Sequence, residues 1–171
     1  MSINPASDPQ FISILDNAVL AWGLVACGLA QFSKLLFELL FKQRWRPSVL
    51  IETGGMPSSH SALVTGTAAG VGLQLGFDDP LFALASTIAF IVMYDASGIR
   101  RSAGLTAAKV NQISKDNFNQ SSSETALKES LGHTKTEVLV GSIFGPTVAL
   151  LGIFFIGSPL HLLQIIGLVS V

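Results

Sequence analysis

Charge is scarce in this 171-residue chain: Asp, Glu, Lys and Arg make up 12% of it, about half the ~25% of a soluble globular domain. With a mean hydropathy of +0.56, that shortage points to an integral membrane domain. Cysteine is nearly absent. Cys27 is the only one, so an internal disulfide and a multi-cysteine metal site are both excluded, and its apolar surroundings read as those of a small buried hydrophobe. The net charge of −1 offers no basic excess for nucleic acid. No cluster of carboxylates suggests a metal, and nothing suggests a cofactor. The first ten residues hold no Lys or Arg and no cleavage-like pattern, which argues against a cleaved signal peptide.

Long apolar runs take the place of charge. Phe11 to Phe32 is mostly Gly, Ala, Leu and Val, long enough for a first span. The helix can continue through Lys34 and Glu38 before Lys42, Arg44 and Arg46 mark its exit from lipid. Ser61 to Phe77 carries no charge, and its glycines pair four apart, Gly66 with Gly70 and Gly72 with Gly76, a spacing suited to close helix packing. Asp78, Asp79 and Pro80 read as a tight connection into a third span that runs toward Ile99. A short helix to about Ser114 follows, then a flexible polar loop over about 115–125. A fourth apolar run extends from Glu137 to Ile156, with Gly141 and Gly145 four apart and a kink expected at Pro146. The tail from Pro159 to Val171 is short for a span. Residues 1–171 thus read as one all-α, polytopic membrane helix bundle of about four transmembrane helices plus a short apolar C-terminal segment.

If the second and third spans form a hairpin, nine of the ten Lys and Arg share one face. By the positive-inside rule that face is cytoplasmic, in a bacterial inner membrane or its organellar equivalent. The other face offers Asp8, Asp16, Asp78 and Asp79.

Three strings bring the reactive side chains to the basic face: GGMPSSH (54–60), DASGIRR (95–101) and GHTKTE (132–137). Pro57, Ser58 and Ser59 are expected in the first turn of the second span, where free backbone amides, the helix dipole and hydroxyls suit an anion, with His60 beside it. His133 and Glu137, four apart, share a helix face, so the carboxylate can fix the imidazole tautomer and leave the other nitrogen free to attack. Arg46, Arg100 and Arg101 can clamp a phosphate through their guanidinium forks. Asp95 either supports the site or pairs with one of the arginines. Each piece also has a plainer reading, as membrane-surface anchor or helix cap, and His161 has no polar companions in the sequence.

At GGMPSSHSA, IVMYDASGIRRSAG and LKESLGHTKTEV the chain resembles the divergent branch of the type 2 phosphatidic acid phosphatase family, related to acid phosphatases and vanadium-dependent haloperoxidases. The resemblance covers roughly residues 31–150. It implies His133 as the phosphoryl-accepting nucleophile, Glu137 as the group that orients it, and His60 as the acid for the leaving group, with Arg46 before Pro47 on the phosphate. The chain departs from the parent pattern at several points. Ser59 stands for a glycine and Glu137 for an aspartate. Leu127, beside Lys128, stands for an arginine, and Leu39 for a lysine. Arg100 or Arg101 would then have to supply the missing charge in space.

The expected activity is metal-independent hydrolysis of a lipid or isoprenoid phosphate through a phosphohistidine. The alternative is a non-enzymatic scaffold or headgroup-binding protein, with haloperoxidase chemistry a distant third. Expected partners are membrane lipids and the substrate, with a second copy or another membrane protein docking on the glycine-rich helix faces.

Overall fold

The structure, a computed structural model, describes residues 13–50, 54–118 and 126–168. Among these every regular element is helical. Helix α1 (Ala18–Lys42) starts where the Asn17 side chain accepts from the Leu20 N–H at 2.9 Å and ends at Gln43, which is left-handed at φ 51°. A 3-10 turn (Pro47–Leu50) leads toward α2 (Ser59–Leu75), capped by Ser58. Asp79 caps α3 (Pro80–Ser97), with Pro80 in its first turn where a missing N–H costs nothing. The tight connection expected at Asp78, Asp79 and Pro80 is present as residues 76–79, with Pro80 already in the helix. Gly98 separates α3 from α4 (Ile99–Phe118). Helix α5 (Lys135–Phe155) continues through Pro146, and α6 (Pro159–Ile165) is too short to span.

Among the described residues, three stretches are long and apolar enough to cross a membrane: Ala18–Leu40, Pro80–Lys115 and Lys135–Phe155. The expected fourth, α2, has 17 residues, the lower end of the ~17–25 that cross a bilayer. It lies at the centre of the bundle, packed against α1, α3 and α5. Its composition permits this, because Ala62, Gly66, Ala68, Gly70 and Gly72 let neighbouring backbones close in. An added Cβ on Gly66 would meet the Gly145 backbone at 3.0 Å, and one on Gly145 would strike the Ala62 carbonyl.

The interior is small and the exterior large. Ala26, Ala30, Ala62 and Ala149 are 0% exposed, while Phe90, Phe154 and Phe155 are more than 70% exposed. Water would drive the reverse distribution. Lipid does not, because its tails solvate Phe and Leu as well as a protein core does.

Two boundaries differ from expectation. The first predicted span is not one continuous helix: residues 13–15 are helical, and α1 starts afresh at Ala18, since Asn17 is its cap. Residues 115–118, expected in the polar loop, continue α4, where a polar helix tolerates Lys115 in its last turn. Residues 119–125 of that loop, the start of the first predicted span at 11–12, and residues 169–171 of the tail lie outside the described residues.

Candidate functional site

The segment before α5 has no regular structure of its own and is held by its neighbours. Asn111 of α4 donates from Nδ2 to the Leu127 carbonyl at 2.8 Å and to Glu129 Oε1 at 2.8 Å, and its Oδ1 accepts from the Leu127 N–H at 2.9 Å. Gly104 lets the 129–131 backbone lie against α4, where a Cβ would meet the Glu129 carbonyl at 2.7 Å. Gly132, left-handed at φ 78°, abuts the Arg100 and Arg101 backbone with no room for a side chain. The His133 N–H then donates to the Ala96 carbonyl at 2.9 Å. These contacts fix the His133 backbone against the end of α3.

The His133 side chain is fixed as well. Its Nδ1 lies 3.1 Å from Glu137 Oε2, which also accepts from the Thr134 N–H at 3.1 Å within a complete capping box. An ionised carboxylate only accepts, so this pairing assigns the proton to Nδ1 and a lone pair to Nε2. His133 is 2% exposed and its Nε2 has no hydrogen-bond partner. Burial pushes the imidazole below the usual histidine range; Glu137 opposes the shift, while the charge of Lys34 adds to it.

His133 belongs to the lining of a cavity of about 190 Å³, shared by His60, Ile91, Val92, Asp95, Ala96, Arg100 and Gly132. That volume is below the ~300–1,000 Å³ of drug-sized pockets and suits a small group. His60 and His133 stand edge to face, ring centroids 6.1 Å apart. Arg100 Nε donates to Asp95 Oδ2 at 2.6 Å. The cavity therefore combines a buried imidazole whose Nε2 has no partner, a second imidazole, an ion-paired guanidinium and an apolar wall from α3.

Of the residues singled out from sequence, His60, His133, Asp95 and Arg100 line this cavity, and Glu137 stands behind His133. Ser58 and Ser59 are buried but do not line it. The Ser58 hydroxyl caps α2, accepting from the Ser61 N–H at 3.3 Å and the Ser61 hydroxyl at 3.0 Å, and its N–H donates to the Glu137 carbonyl at 3.0 Å. Arg46, Arg101 and Lys128 are exposed and lie off the cavity. His161 Nδ1 sits 3.1 Å from the Ile156 carbonyl, at the far end of α5.

Sequence reasoning missed two residues. Asn111 positions the segment that carries His133, and nothing in its flanking residues marks it. Lys34 is 2% exposed inside α1, and a charged side chain within an apolar run was the available signal. Among the described residues no group of three or more His, Cys, Asp or Glu is arranged to hold a metal ion.

The chain is similar to the uncharacterized membrane protein YuiD of Bacillus subtilis (strain 168), 36% identical over 157 residues, which cover 84% of this chain and 99% of that protein. No solved structure matches. The family model described as the Divergent PAP2 family matches residues 15–148, a stretch that takes in the cavity, the dyad behind it and all but the last turns of α5. With both matches spanning most of its length, the chain belongs to the Divergent PAP2 family.

Proposed function

We propose that this protein is a membrane phosphatase that transfers a phosphoryl group from a lipid or isoprenoid phosphate to His133 and then to water. The supporting observation is the buried, unpartnered Nε2 of His133, with Nδ1 held by Glu137, beside His60 and Arg100. His133 Nε2 attacks phosphorus, and an N–P bond forms as the P–O bond to the leaving group breaks. His60 gives a proton to the departing oxygen. A water molecule that yields its proton to His60 then attacks phosphorus, breaking the N–P bond and releasing phosphate. Arg100 answers the charge on the phosphoryl oxygens. Ile91, Val92 and Ala96 supply an apolar wall along which a lipid tail can lie while its headgroup enters from the side. No step needs a metal, and we assign the basic face to the cytoplasm by the positive-inside rule.

The test is phosphate release by detergent-purified protein with chelator present, across phosphatidic acid, phosphatidylglycerophosphate and isoprenyl diphosphates. Vanadate-sensitive turnover that falls by about three orders of magnitude or more in His133→Ala is expected. Turnover that disappears with chelator and returns with magnesium counts against the mechanism.

A second reading, a headgroup-binding or scaffold protein, is favoured by one observation. Arg46, Arg101 and Lys128 lie off the cavity, and Arg100 is ion-paired with Asp95. On that reading His133→Ala leaves the cellular phenotype unchanged, and a second copy or partner docks on the lipid-facing helix surfaces, since Gly66, Gly141 and Gly145 are occupied within the chain.

A further inference from the structure

Two cavities meet at the start of α5 and share no lining residue. The first is the reaction cavity. The second, about 290 Å³, lies between α1 and α5, and its lining includes Lys34, Glu38, Gly55, Met56, Thr134 and Glu137. His133 faces the first and Glu137 the second, so the hydrogen-bonded pair forms part of the wall between them. Lys34 stands on the rear side of that wall. It is 2% exposed, and its Nζ has no hydrogen-bond partner. An ammonium removed from water is among the costliest groups to bury unless nearby negative charge compensates it. The carboxylates lining the same cavity are Glu38 and Glu137.

We propose that Lys34 is a positioning residue that sets the charge state of the dyad from behind: its ammonium answers the Glu137 carboxylate and keeps a second proton off His133, so that Nε2 retains its lone pair. The other groups around the pair do not duplicate this role. Cys27 and Glu38 are on the Lys34 helix, and His60 approaches from α2. Asp95 and Arg100, from the α3–α4 junction, answer each other at 2.6 Å. The charges of Lys34 and Glu137 act on each other, and Lys34 acts on His133 in the direction that opposes the imidazolium. Without Lys34, the dyad at neutral pH shifts toward imidazolium and carboxylate, a form with no nucleophilic lone pair.

The consequence for turnover rests on the phosphatase reading; the electrostatic claim does not, and the experiment separates the two. Side-chain nitrogen NMR of the full chain in detergent, labelled at histidine, reads the His133 tautomer and titration midpoint whether or not the protein is an enzyme. In the wild type the proton is expected on Nδ1, with a midpoint below 6.5. Lys34→Met is expected to raise the midpoint by about 0.5–1 unit, Lys34→Arg to restore it in large part, and Glu137→Gln to move it the other way. Lys34→Gln carries the same readout where Lys34→Met does not accumulate. An unchanged midpoint in folded Lys34→Met or Lys34→Gln overturns the proposal. So does a loss of inorganic phosphate affinity with the midpoint unmoved, which would put Lys34 on the ligand instead. If turnover is measurable, kcat falls in Lys34→Met at an unchanged KM. If no substrate turns over while the midpoint shifts as expected, the phosphatase reading fails and the positioning role stands.

Discussion

His133 is a histidine that folding keeps neutral, and this has a consequence for stability that needs no substrate. Burial places its folded pKa below the ordinary 6.5. Between those two values the unfolded chain binds more protons at this residue than the native one, so stability rises with pH across that window. The contribution is fully present above about 6.5 and is lost progressively as pH falls through the window. Thermal unfolding in detergent is therefore expected to show a midpoint that drops on acidification from about pH 7.5 to about 5.5, with a shallower drop in His133→Asn. Equal slopes in the two proteins would mean that His133 is not held neutral. How far the site could be read from sequence also turns on individual residues. His133 and Glu137 were legible because four-residue spacing at a helix start permits their contact whatever the rest of the fold does. Choosing Arg100 over Arg101 was not, because adjacent helical residues point about 100° apart and only the placement of α4 decides which one meets the cavity. Lys34 beside Glu38 reads equally well as a lipid-boundary pair, and the bonds of Asn111 run to groups 16 and 18 residues away.

At the scale of elements, the site depends on how closely α2 and α5 approach. Gly141 lies against the first turn of α2: a Cβ there would strike the Ser58 carbonyl and come within 3.0 Å of the Ser61 side chain. Since Ser58 also donates to the Glu137 carbonyl, any spreading of the two helices separates His60 from His133. Gly28 of α1 provides the matched control, because a Cβ added there meets nothing within 4 Å. The same substitution should thus give opposite results in two helices of one bundle. Gly141→Ala is expected to destabilise by about 1–3 kcal/mol and to lower turnover, whereas Gly28→Ala is expected to be neutral or to stabilise by up to about 1 kcal/mol. Thermal midpoints of the two variants in one detergent check both, and equal effects would show that the α2–α5 contact is not tight. The four-residue glycine spacing made such packing legible in sequence. That α2 would be the enclosed central helix was not, because an uncharged run of small residues suits lipid and protein neighbours alike.

For the molecule as a whole, the arrangement of charge decides which side of the membrane the site faces. The cavity is built from the start of α2, the junction of α3 with α4 and the segment before α5, so these three places lie at one end of the bundle. Nine of the ten Lys and Arg belong to that end or to the segments leading into it. The α2–α3 turn at the opposite end carries Asp78 and Asp79, and Ser158 there donates to Asp16 at 2.7 Å, tying the start of α1 to the segment after α5. Positive residues flanking spans are retained on the cytoplasmic side, and acidic residues contribute little to orientation. A reporter inserted after Asp79 is therefore expected to behave as non-cytoplasmic, and one inserted near Ser122 as cytoplasmic. The reverse pair would put the cavity on the outer face and require the substrate to be supplied from the outer leaflet. Two reporters on the same side would mean that α2 and α3 do not cross as a hairpin; since α2 is enclosed by α1, α3 and α5, the bundle itself would then have to be rebuilt. Neutralising Arg44 and Arg46 together tests the cause: if the charge asymmetry sets orientation, the variant is expected to give a mixed population by the same reporters, while its unmixed orientation would assign topology to the loop from residue 100 to 135.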